Sequence, residues 1–144
     1  MKTTSTLVNE IIKPARTIKK ETTIVEVIKI MKDEKLDLIS VVDENQKLIG
    51  AVTENNFIKL VKHDPPTPFG DPIWFDMVEE SVGKKSVETI MTTNITTISP
   101  NDTLDAALKV MSSSSYKILH VVDNTGKLLG IITLRDIFEK LLGV

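Results

Sequence analysis

Val121-Val122-Asp123-Asn124-Thr125-Gly126-Lys127-Leu128-Leu129-Gly130-Ile131-Ile132-Thr133-Leu134-Arg135-Asp136 reads as a strand, a tight turn, a second strand and the first turn of a helix. Asn124-Thr125-Gly126 supplies the turn, with Gly126 free to take a positive φ. The same pattern stands eighty positions earlier, in Val41-Val42-Asp43-Glu44-Asn45-Gln46-Lys47-Leu48-Ile49-Gly50-Ala51-Val52-Thr53-Glu54-Asn55-Asn56. Self-similarity at a fixed period means one unit written twice. Gln46 replaces Gly126 in the first copy, which predicts Asn45 at the left-handed position there. Gly50 and Gly130 sit inside strands, where glycine marks a bulge or a close approach of another group. The copies end differently, in Asn56 and in Asp136.

The match extends outward. Upstream of each hairpin, Ile24, Val27, Ile28 and Met31 fall at i, i+3, i+4 and i+7, and Leu104, Ala107, Leu108 and Met111 repeat that spacing. This is the stripe of a helix with one buried face. Thr22 or Thr23, and Asp102 or Thr103, suit the N-caps, and Ser112 to Ser115 read as the loop after the second helix. Downstream, Phe57, Ile58 and Val61, and Ile137, Phe138, Leu141 and Leu142, are the predicted inward faces of a second helix in each copy. Val8-Asn9-Glu10-Ile11-Ile12 matches Val87-Glu88-Thr89-Ile90-Met91 as a helical turn entering a short strand. Each copy is thus β-α-β-β-α, over residues 8–61 and 87–143. A unit of about 50 residues buries too little surface alone. The expected fold is α/β (α+β), two repeats packed sheet to sheet with pseudo-two-fold symmetry.

Residues 62–86 have no twin. Pro65, Pro66, Pro68 and Pro72 predict an extended or kinked start, Asp71 a helix cap, Trp74, Met77 and Val78 an apolar helix face, and Gly83 its stop. With Phe69 and Phe75 beside Trp74, the insert is expected to dock on the chain itself or at a subunit interface.

Composition narrows the function. The chain has 144 residues, no cysteine and a formal net charge of −2. Disulfides, thiolate metal sites and thiol nucleophiles are excluded, and no basic field favours nucleic acid or anionic membrane. No apolar run approaches the ~20 residues of a membrane span, and the start lacks a signal-peptide core, so a cytoplasmic protein is expected. His63 and His120 have no metal-ligand spacing around them, and no metal site is expected. His120, on an apolar strand, reads as a hydrogen-bonded core residue.

Thr133-x-x-Asp136 carries two readings. It fits a capping box, and it fits a helix N-terminus offered to a phosphate with an acid beside it for ribose. Thr53-x-x-Asn56 fits the cap less well. In its setting, a tandem β-α-β-β-α repeat with Val-Val-Asp turns and Gly-Ile-Ile-Thr-Leu-Arg-Asp leading into a helix, the motif resembles the cystathionine-β-synthase (CBS) domain, paired as in a Bateman module. Ser40 and His120 stand where that family usually has proline, and Asn56 where it usually has aspartate.

The resemblance implies a stand-alone regulatory module without catalysis, binding AMP, ADP, ATP or S-adenosylmethionine between the repeats, and needing no other cofactor. It implies one cleft formed by Ile131, Thr133, Arg135 and Asp136 with Lys13, Ala15, Arg16, Asp37 and Leu38. It implies a second, weaker one formed by Thr53, Asn56, Asn94, Ile95, Lys117 and Ile118, with Lys117 as the phosphate cation. Asp136 makes the first the expected tight site, because a carboxylate binds ribose hydroxyls more strongly than an amide. A homodimer and a regulated partner protein are expected, with no nucleic acid or membrane contact. The alternative is a dimerisation or docking module with degenerate clefts.

Overall fold

The computed structural model describes residues 5–61, 80–114 and 116–144. The readings placed on Pro65 to Val78 lie outside the described residues, as does the loop position Ser115.

Each copy builds a three-stranded sheet. Strand β1 (Thr17–Ile18) lies parallel to β2 (Leu38–Val42), and β2 pairs antiparallel with β3 (Leu48–Thr53). Strands β4 (Thr97–Ile98), β5 (Ile118–Val122) and β6 (Leu128–Thr133) repeat this, and Thr17 against Ser40 becomes Thr97 against His120. Helix α1 (Ile24–Glu34) connects β1 to β2, α2 (Leu104–Ser114) connects β4 to β5, and α3 (Leu134–Leu142) closes the second copy. The closing helix of the first copy, Glu54–Leu60, is wound as a 3-10 helix.

Thr23 caps α1 in a full capping box: its hydroxyl accepts from Glu26 N, while Glu26 reaches back to Thr23 N. Thr103 caps α2 by accepting from Ala106 N. The serines do not begin a loop. Ser112, Ser113 and Ser114 complete the last turn of α2, and Ser113 and Ser114 donate to the Val110 carbonyl.

The helix faces are narrower than the stripes suggested. Ile24, Val27 and Met31 are buried, and so are Leu104, Ala107 and Met111, whereas Ile28 is exposed. Ile137 is buried, but Phe138 and Leu142 are exposed on α3, as is Ile58 on its counterpart. The buried stripe of each closing helix is narrow, which leaves the flanking apolar residues in solvent.

In the hairpins the aspartates build the turns. Asp43 Oδ1 accepts from Asn45 N and Lys47 N at 2.8 and 3.0 Å, and Asp123 Oδ1 accepts from Thr125 N and Lys127 N at 2.9 and 3.0 Å. The Lys47 amide at Asp43, and the Thr125 hydroxyl at Asp123, hold both carboxyls below the usual carboxylate range. Because this clamp fixes the turn, the left-handed position is the same in both copies. Gln46 takes it with φ 64°, not Asn45, matching Gly126 at φ 88°.

The entry turns are exchanged. Val8, ahead of the first repeat, is buried in the core of the second with Ile98, Leu104, Leu119, Val121, Ile132 and Ile137. Val87 and Ile90, ahead of the second repeat, are buried in the core of the first with Ile18, Ile24, Val27, Ile39, Val41 and Val52. Backbone bonds fix the exchange: Val8 N donates to Asp102 O and Leu104 N to Thr6 O, matched by Val87 N to Thr22 O and Ile24 N to Lys85 O. The glycines allow the straps to approach. Lys13 and Ile131 exchange two backbone hydrogen bonds beside Gly130, and Ala51 and Thr92 do the same beside Gly50. The hairpin turns also meet, through Leu48 N to Gly126 O and Leu128 N to Gln46 O.

Candidate functional site

Between the repeats, β2, β3 and the Glu54–Leu60 helix of one face the strap and β5 of the other across a cavity of about 390 Å³. That volume is in the range of small-ligand sites. One wall carries Leu38, Ala51, Thr53, Asn55, Asn56 and Lys59; the other carries Thr92, Asn94, Ile95 and Thr96, then Tyr116, Ile118 and His120. Of the expected second-cleft residues, Thr53, Asn56, Asn94, Ile95 and Ile118 are brought together here.

Lys117 does not line this cavity. Ile118 and His120 of β5 line the cavity with Tyr116, which precedes the strand, while Lys117 borders a separate hollow with Thr133, Leu134, Arg135 and Phe138. Its carbonyl accepts from Leu134 N, which ties it to the start of α3. The cation inside the cavity is Lys59, whose Nζ donates to Ile90 O at 3.1 Å. Lys59 was legible in the repeat alignment: it stands three residues after Asn56, where the second copy has Glu139 three residues after Asp136. Tyr116, just ahead of β5, carried no such signal in the sequence.

Asn56 is buried and fully engaged. Its Oδ1 accepts from Thr53 N and Thr53 Oγ1 at 2.8 and 3.2 Å, and its Nδ2 donates to Ile90 O and Thr92 Oγ1 at 2.7 and 2.9 Å. An amide with all four bonds made is a tie between the repeats, and little of its hydrogen-bonding capacity remains for a ligand.

The residues expected around Asp136 are partly assembled. Thr133 Oγ1 accepts from Asp136 N at 3.1 Å, so the capping role is real. Lys13, brought in by its bridge to Ile131, sets its ammonium 3.0 Å from Asp136 Oδ2. This is ion-pair distance but lies off the line of a well-formed hydrogen bond, so Oδ2 is buried with unused accepting capacity. Burial alone would raise the Asp136 pKa; the Thr133 hydroxyl and the Lys13 ammonium outweigh it and hold the carboxyl below its ordinary value. Arg16 is drawn away: its Nε lies 3.1 and 3.0 Å from the two Glu34 oxygens. Ala15 is half-buried, Asp37 and Arg135 are exposed, and Leu38 borders the other cleft because it pairs with Thr53 across β2 and β3.

The two departures from the proline pattern meet. Ser40 Oγ and His120 Nε2 lie 2.9 Å apart in the buried seam between the sheets, eighty residues apart in the chain. A serine beside an imidazole has the geometry of a nucleophile and its base. Ser40 is fully buried and does not line the cavity, so it presents nothing to a substrate. The pair joins the repeats.

Burial lowers the His120 pKa from 6.5 to about 4. Between those values the unfolded chain takes up a proton that the folded chain does not. Stability should therefore be greatest above pH 6.5 and fall as the pH drops toward 4, by at most ~1.4 kcal/mol per pH unit from this group. Denaturant melts of the parent and His120→Gln from pH 7 to 4.5 check this: the parent should lose stability more steeply, and equal slopes would refute the assignment. Among the described residues, no group of three or more His, Asp or Glu could hold a metal ion, and no helix is long and apolar enough to cross a membrane.

Comparison with known proteins agrees with this architecture. The CBS domain family model matches residues 8–63 and 87–143. An uncharacterised protein of Methanocaldococcus jannaschii is 26% identical over 94% of this chain and 91% of its own length. Inosine-5′-monophosphate dehydrogenase of Aquifex aeolicus is 32% identical over 86% of this chain, which spans only 22% of that enzyme. The crystal structure of CBSX2 in complex with AMP superimposes with a TM-score of 0.76 at 20% identity, over 96% of this chain and 97% of that one. The CBS domain pair of protein MJ0100, in complex with 5′-methylthioadenosine and S-adenosyl-L-methionine, gives a TM-score of 0.70 at 28% identity over the same shares. With the family model matching both repeats, over most of the chain, this chain belongs to the CBS domain family and carries a pair of CBS domains.

Proposed function

We propose that the chain is a regulatory module without catalysis that binds an adenosine-containing ligand in the cavity between its repeats. The observation that carries this is the cavity itself, built from both repeats at the motif end of β3. The domain pair crystallised with 5′-methylthioadenosine and S-adenosyl-L-methionine supports the ligand class. The Asn56 side is favoured over the Asp136 side because it is open, whereas a ribose reaching Asp136 must first displace Lys13. A ligand seated against both walls would favour one arrangement of the repeats over others, and that preference is what a regulatory module transmits.

A ligand at one hundred times its dissociation constant adds about 2.7 kcal/mol to stability. A thermal-shift screen of AMP, ADP, ATP and S-adenosylmethionine should therefore raise the melting temperature with at least one of them. A flat screen favours a docking module whose clefts are degenerate, with Asp136 serving as a cap. The proposal includes a homodimer, motivated by the exposed Phe138 and Leu142 on α3, and light scattering reads its mass directly.

A further inference from the structure

The two motif helices differ in charge at matching positions. Around Asp136 stand Glu139, Lys13 and Lys140, so the acid there arrives with its own counter-ions. At the equivalent place in the first repeat Asn56 replaces the acid, Lys59 replaces Glu139 and Thr92 replaces Lys13. Among the described residues, the cavity between the repeats is consequently lined by one ammonium and no carboxylate. The Lys59 ammonium spends one of its three donors on Ile90 O. Its remaining donors are exposed at the cavity, with the neutral Thr53, Asn55, Asn94 and Thr96 around it.

The geometry points to Lys59 as the residue that sets ligand charge: the cavity takes an anionic nucleoside phosphate over the cationic sulfonium of S-adenosylmethionine. This rests on the nucleotide reading above and goes beyond it, since that reading is indifferent to the ligand's charge. A phosphate brings nearly two negative charges and three strong acceptors to an ammonium that has no carboxylate to answer. A sulfonium in the same place meets a like charge with nothing to offset it. Tyr116, half-exposed among the lining residues, carries no charge at neutral pH and leaves charge selection to Lys59.

Calorimetric titration of AMP, adenosine and S-adenosylmethionine into the parent, Lys59→Gln and Lys59→Arg separates the claims. In the parent, AMP should bind about tenfold or more tightly than adenosine, with S-adenosylmethionine weaker than AMP. In Lys59→Gln the AMP advantage should collapse while adenosine binds as before, and Lys59→Arg should keep it. Equal binding of AMP and adenosine by the parent overturns the inference and leaves the nucleotide reading intact, as does an AMP advantage that survives in Lys59→Gln. No binding of any of the three overturns both. Should Lys59→Gln fail to fold, Lys59→Met takes its place in the same titrations, and equal binding of AMP and adenosine by the parent overturns the inference with no variant at all.

Discussion

Val8→Asp should unfold the second repeat rather than the repeat that Val8 precedes. Val8 is fully buried among Ile98, Leu104, Ala107, Met111, Leu119, Val121, Ile132 and Ile137, all from the other half of the chain. Burying its side chain contributes about 1.5–3 kcal/mol by itself. A carboxylate there has no cationic partner in the core, and an unpaired buried charge costs several kcal/mol more. The sum is on the order of the whole stability of a small domain. The strap that carries Val8 is pinned by its bonds to Pro100, Asp102 and Ile131, so it cannot withdraw without releasing them. Hydrogen exchange is the discriminating measurement. Protection should be lost first in β4 to β6 and α2, and later in β2 and β3. Loss beginning in β2 and β3 would mean that each entry turn belongs to the repeat it precedes.

Gly130→Ala should cost about 3 kcal/mol or more, while Gly50→Ala costs about 1 kcal/mol, although the two glycines are equivalent in the repeat. A Cβ at Gly130 would overlap the Lys13 carbonyl oxygen and sit 2.8 Å from Ile12 Cγ1. The carbonyl is backbone, held by the paired bonds between Lys13 and Ile131 at 3.0 and 2.9 Å, so relief requires breaking that bridge. A Cβ at Gly50 would sit 2.6 Å from Met91 Sδ and 3.2 Å from Thr92 O. The methionine side chain has three rotatable bonds and can move aside. Denaturant melts of both variants check the ranking, and equal losses would show that the Lys13 strap yields as easily as Met91.

What was legible in the sequence was what repeats locally. The periods of α1 and α2, the Val-Val-Asp turns and the interior glycines each have a physical cause within a few residues, so the two-fold plan, the strands and the helices could be read directly. The close approach expected at Gly50 and Gly130 is the passage of the opposite strap. That each strap serves the other repeat was not legible, because the matched turns Val8–Glu10 and Val87–Thr89 look the same whichever core they fill. The left-handed Gln46 was missed because propensity favours asparagine, while the clamp from Asp43 decides the position.

At the site, Lys13 was expected beside Asp136, and the fold delivers it there from more than a hundred residues away; what the sequence did not show is that the two pair directly, at 3.0 Å. Lys117 came with the family pattern for the second cleft, and just ahead of β5 it borders the hollow beside Arg135 and Phe138 instead. Ser40 and His120 are two departures from one pattern in the sequence, and their meeting at 2.9 Å follows from the symmetry that the repeat itself implies.

Chemical-shift mapping of this 16.0 kDa chain during titration with AMP asks whether an adenine nucleotide occupies the cavity between the repeats. A nucleotide seated there should give saturable shifts at Thr53, Asn55, Lys59, Asn94, Ile95, Tyr116 and Ile118, from both walls together. Shifts confined to Thr133, Arg135 and Asp136, or no saturable shifts at all, would contradict it.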